Sequence, residues 1–150
     1  MPPAVQEFWN KLNANEKLVM YGVIAVFIAF LVGIVAGGYF GGTGSFGLVG
    51  AIAIVVIYWL KYAPNTNISW PAPIPTIVLV IAGIDAIFAV LGLLSWLGIF
   101  GFSLFALAIV INAIGCGLMA YGAWKEYQAT PKAAPPSTPP SSAPPAPPAA

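Results

Sequence analysis

The chain has 150 residues, 60% of them hydrophobic and 6% charged, with five lysines, four acids, no arginine and no histidine. Soluble domains carry about 25% charged residues, so this chain has too few to cover a water-soluble surface of its size. A net charge of +1 excludes nucleic-acid binding through clustered Lys and Arg. The single Cys116 excludes an intrachain disulfide framework and a multi-cysteine metal site.

Residues 1–12 open the chain with MPPAVQEFWNKL, in which Val5, Phe8, Trp9 and Leu12 fall at i, i+3, i+4 and i+7. Gln6, Glu7, Asn10 and Lys11 occupy the other face, with Glu7 and Lys11 four residues apart. That pattern predicts a short amphipathic helix lying in a membrane interface. NANEK follows, offering Asn13 as an N-cap and Glu16 three residues on as the second half of a capping box.

Residues 13–128 hold four apolar stretches, at about 18–40, 45–62, 75–97 and 102–124. The first, Leu18 to Phe40, contains no charge. At 1.5 Å per residue it reaches about 34 Å, enough to cross a hydrocarbon core of roughly 30 Å. It exceeds the usual apolar region of a cleaved signal peptide and begins after a polar segment, so a retained helix is expected. In lipid the backbone must satisfy its own hydrogen bonds, which favours helix despite the β-branched residues. The runs lack the alternation of a transmembrane barrel. The predicted fold is all-α, a four-helix membrane bundle of two hairpins.

The lysines orient it. Lys11 and Lys17 precede the first run, Lys61 closes the second, and Lys125 and Lys132 follow the fourth. The links GGTGS and GIFGFS carry no charge. With four spans every lysine falls on one side, which the positive-inside rule makes cytoplasmic, together with both termini. Tyr and Trp cluster at the same boundaries, as Tyr58, Trp59 and Tyr62 do around Lys61. They read as an interfacial belt and not as a ligand cage.

Small residues suggest how the helices meet. Ala25, Ala29, Gly33 and Gly37 recur every fourth position in the first run. Ala82, Asp85, Ala89 and Gly92 share a face of the third, and Ala108, Asn112, Cys116 and Ala120 a face of the fourth. Such faces admit close helix approach in lipid.

Asp85 is the exception in its run, because an acid in hydrocarbon is costly and often marks a transport path. Asp85 and Asn112 lie equally far from a turn between Gly98 and Ile99, so the two should stand at equal depth. The expected arrangement is a neutral Asp85 carboxyl hydrogen-bonded to the Asn112 amide. A relay for a proton or cation is the alternative.

Residues 129–150 are rich in Pro, Ala and Ser with one lysine. They cannot bury a core and are expected to be a disordered cytoplasmic spacer, or else a ligand for a proline-recognition module. Asn67-Ile68-Ser69 matches the glycosylation pattern but falls on the side read as cytoplasmic. GGYFGGTGS lacks the Lys-Ser/Thr of a phosphate loop. No nucleophile–base pair, metal-ligand set or cofactor motif can be assembled, so a non-enzyme without cofactor or metal is expected.

The NEKL lead-in, two tight apolar hairpins and the Pro/Ala tail resemble uncharacterised small four-span membrane proteins of bacteria. The resemblance implies a bacterial plasma membrane and assigns no activity. The leading expectation is a structural or accessory subunit, with the lipid bilayer and another membrane protein or a second copy as partners. A small transporter or channel using Asp85 is the alternative.

Overall fold

The computed structural model describes residues 2–37, 43–63, 68–100 and 103–130. All regular structure among them is helical: α1 (Pro3–Lys11), α2 (Ala14–Val35), α3 (Thr43–Tyr62), α4 (Ile74–Phe100) and α5 (Leu104–Ala129). The residues from 131 onward, where the proline-rich spacer is expected, lie outside the described residues, as does Asn67.

Local chemistry sets the ends of the helices. The Asn13 side chain accepts the backbone N–H groups of Asn15 and Glu16, each at 2.9 Å, and Glu16 Oε2 accepts the Asn13 N–H at 2.9 Å. This is the capping box read from NANEK, and it starts α2 at Ala14, one turn before the apolar run. Gly37 stops it, with a left-handed φ of 71° just past the C-cap Ala36. α2 therefore ends at Val35, inside the apolar run. Ser103 caps α5 by accepting the Ala106 N–H at 3.1 Å. That helix continues through Lys125, Glu126 and Tyr127 to Ala129, because backbone hydrogen bonding does not end where apolarity does.

The four long helices form a ring. α2 packs most closely on α5, α5 on α4 and α4 on α3, while α3 meets α2 more lightly. The α2–α5 seam is built on glycine. A Cβ added at Gly22 would lie 2.5 Å from the Gly115 carbonyl oxygen and 2.7 Å from the Met119 nitrogen. One added at Gly122 would lie 2.9 Å from the Val19 nitrogen. Backbone therefore meets backbone, and Val19, Val26 and Met119 fill the flanks, all 1% exposed or less.

α1 folds back over the ends of α2 and α3. Phe8 meets Trp59 and Tyr62 of α3 at ring-centroid distances of 5.6 and 6.2 Å, and Trp9 meets Tyr21 of α2 at 5.4 Å. Leu12, 3% exposed, plugs the join. Glu7 and Lys11 form the expected i,i+4 ion pair at 2.8 Å, both side chains exposed.

The outside of the ring is apolar. Leu31, Val35, Ile87 and Leu94 are all at least 60% exposed, whereas Glu16, Asp85 and Asn112 are buried. α2, α4 (over Ile74–Ser95) and α5 are long and apolar enough to cross a membrane, and α3 contributes the shorter apolar helix Phe46–Tyr62. Only 28% of the most apolar window of α4 is buried by protein. So large an apolar surface is unsuited to water and suited to lipid.

Candidate functional site: buried polar groups of the ring

Two buried acids, Asp85 and Glu16, stand at different heights in the ring, and the amide of Asn112 is buried as well. Asp85 comes from the middle of α4 and is 4% exposed; Asn112 comes from α5 and is 6% exposed. Both are turned towards α3, where two glycines one turn apart leave room for them. A Cβ at Gly50 would overlap the Asp85 carboxyl group. A Cβ at Gly47 would lie 3.1 Å from both Asn112 Oδ1 and Cys116 Sγ.

Equal depth thus brings Asp85 and Asn112 to neighbouring turns of one helix, but no hydrogen bond joins them among the described residues. Asp85 Oδ2 is buried with no hydrogen-bond partner. The helix rotations account for this: each polar tip enters the gap above its own glycine instead of facing the other. An Asp oxygen against a glycine Cα–H makes a weak contact, of a kind that recurs between closely packed helices.

The small residues read from sequence divide. Ala82, Ala89 and Gly92 line the inner face of α4 beside Asp85, and Ala108 and Cys116 that of α5, all buried. Ala29 and Gly33 are buried on α2, whereas Ala25 and Ala120 are half-buried at the edges of their faces. Gly37 is exposed and lies beyond the helix, so its role is to end α2 and not to pack it. The glycines that bring α2 and α5 together are Gly22, Gly115 and Gly122, none of which the four-residue spacing picked out.

The second buried acid is Glu16, whose capping role was legible but whose partners were not. Its side chain is 0% exposed. Besides the Asn13 N–H, Lys61 Nζ donates to Oε1 at 2.5 Å and Tyr62 Oη donates to Oε2 at 2.6 Å. Beside it, Glu126 of α5 accepts from the Asn13 amide at 3.0 Å and from the Asn15 amide at 3.4 Å. Tyr58 is 1% exposed, and its hydroxyl has no hydrogen-bond partner. The first turn of α2, the last turn of α3 and the last turns of α5 are thereby joined through one polar cluster. A sequence signal existed: Glu16 and Lys61 lie nearly equally far from the α2–α3 connection, as Asp85 and Asn112 do from theirs.

Among the described residues no group of three or more His, Cys, Asp or Glu is placed to hold a metal ion. On α1, the hydrogen bond from Lys11, reinforced by its charge, holds the Glu7 carboxyl below the usual range. No protein-family model, curated protein or solved structure matches the chain.

Proposed function

We propose that the chain is a four-span integral membrane protein with both termini cytoplasmic, serving as a structural or accessory subunit that associates laterally with a larger membrane assembly or with itself. In this reading α3 crosses the bilayer with α2, α4 and α5, α1 lies in the cytoplasmic interface, and the proline-rich tail is a cytoplasmic spacer. The bacterial plasma membrane is the proposed setting. The observation that carries the reading is the inverted polarity of the ring: apolar residues outside, and buried polar groups that tie helix to helix. Glu16 is held by three donors, and the Asp85 carboxyl lies against Gly50, an arrangement that suits a rigid packing element.

A transport role for Asp85 is the second reading, favoured by one observation, the unpartnered Oδ2. Purification in mild detergent at native abundance separates the two. A second membrane protein or a second copy retained in fixed ratio supports the subunit role. An isolated single chain with pH-dependent flux, lost in Asp85→Asn, supports transport.

The span count has its own test. Single cysteines at Thr43 and Asn65, in a Cys116→Ala background, should label from opposite sides with an impermeant reagent. Labelling from the same side would leave α3 outside the membrane and reduce the count to three.

A further inference from the structure

The packing of α1 on α3 leaves a cavity of about 300 Å³ that is open to one side. Its walls include Phe8 from α1 and Trp59 and Tyr62 from α3, and Glu7 and Lys11 stand in the same lining. The two α3 aromatics are three residues apart and so share a face. Phe8 meets Trp59 at a 42° tilt and Tyr62 edge-on at 75°, so the three rings are splayed and not stacked. Trp59 is 51% exposed. From sequence alone Trp59 and Tyr62 read as an interfacial belt and Phe8 as part of an amphipathic face, because nothing there places Phe8 beside a helix some fifty residues away.

We propose that this junction binds the headgroup of a zwitterionic phospholipid, a proposal that rests on the membrane reading above. Three features converge on that ligand. Aromatic faces attract alkylammonium cations through the ring quadrupole, most strongly at Trp. One acid and one base, 2.8 Å apart, match a headgroup that carries one ammonium and one phosphate: Glu7 takes the ammonium, Lys11 the phosphate, and the four charges alternate in sign. The site also lies at the end of α3, where Lys61 and Tyr62 mark the level at which headgroups sit. An anionic headgroup without an amine satisfies Lys11 but leaves Glu7 facing like charge and the half-exposed Trp59 ring without a cation, whereas Tyr62 already has Lys61 Nζ 5.2 Å from its ring centroid.

The test reconstitutes the full chain in nanodiscs containing equal amounts of phosphatidylethanolamine and phosphatidylglycerol. Native mass spectrometry then counts the lipids retained on release. The expected result is one phosphatidylethanolamine retained per chain, at about fivefold preference over phosphatidylglycerol, a ratio worth about 1 kcal/mol that needs Glu7 and the rings to hold the ammonium together. The preference should fall to near unity in Glu7→Gln and in Trp59→Leu, with helix content unchanged. Because Trp59→Leu could loosen α1, Glu7→Gln decides the matter: it alters no ring and leaves the aromatic packing in place. Equal retention of the two lipids, or an undiminished preference in Glu7→Gln, overturns the proposal. Carbonate extraction of membranes separates that failure from a deeper one. A chain that stays in the pellet yet shows no preference loses only the headgroup site, whereas a chain that is released loses the membrane reading and this site with it.

Discussion

The carboxyl group of Asp85 rests on the backbone of Gly50, so closely that any side chain at position 50 would occupy the same space. An acid on α4 and a glycine on α3 therefore fit together as knob and hole, and each constrains what the other can be. Gly50→Ala should push α3 from α4 and lower stability by about 1–3 kcal/mol, the usual cost of overpacking. Asp85→Ala removes the knob. Paired with Gly50→Ala it should recover most of the loss in a thermal-unfolding cycle in detergent. Additive losses in the double variant would show that the two side chains do not compete for one space.

The α2–α5 seam makes a sharper demand, since the obstacles there are backbone atoms that cannot swing aside. Gly22→Ala should cost about 2–3 kcal/mol. Gly83→Ala and Gly117→Ala serve as controls: an added Cβ meets nothing within 4 Å at either site. These two should be neutral or slightly stabilising, because alanine loses less backbone freedom in a helix than glycine does. Equal effects at all three positions would mean that α2 and α5 do not approach through Gly22.

The contrast between those glycines shows what the sequence could reveal. The apolar runs located the long helices, and NANEK located the start of α2, because length and capping are one-dimensional signals. Depth was also legible, since residues equally far from a turn must come level in a hairpin. Rotation was not. A helix that is apolar on every side carries no hydropathy signal for which face points inward, so the four-residue comb on α2 included Gly37 and missed Gly22. For the same reason Asp85 and Asn112 were expected to face each other, although each turns to a glycine of α3. Phe8 beside Trp59 depends on the chain folding back at Leu12 and Asn13, which no local pattern encodes.

On α1, acid should loosen what neutral pH holds. The Glu7 carboxyl titrates below its usual range because Lys11 donates to it, so the native form binds its proton less readily than the unfolded chain does. The pair's contribution is present above the ordinary glutamate range and is lost as pH falls through the depressed value. The protection factors of the α1 amides, which are corrected for the intrinsic pH dependence of exchange, should therefore fall on acidification, and Glu7→Gln should remove that fall. A pH response unchanged in Glu7→Gln would place the titrating group elsewhere.

Glu16 and Lys61 should give a stability effect as large as that of the α2–α5 seam. Glu16 is fully buried and Lys61 about a quarter exposed, so the two substitutions are unequal. Lys61→Met leaves a carboxylate in the interior with only Asn13 and Tyr62 donating to it. Breaking a fully buried pair in this way costs about 3–5 kcal/mol, and the partial exposure of Lys61 lowers the expectation to about 2–3 kcal/mol. Glu16→Gln keeps an oxygen for the Asn13 N–H and for the Tyr62 hydroxyl, and glutamine serves in a capping box as well as glutamate does. The lysine it abandons can reach water, so that loss should be about 1 kcal/mol. Glu16→Gln combined with Lys61→Met removes both charges, leaves none stranded, and should be more stable than Lys61→Met alone. Unfolding monitored by helical circular dichroism at neutral pH orders the three variants. If Lys61→Met proves as mild as Glu16→Gln, the carboxylate has found water or another cation, and the join between α2 and α3 does not depend on this pair.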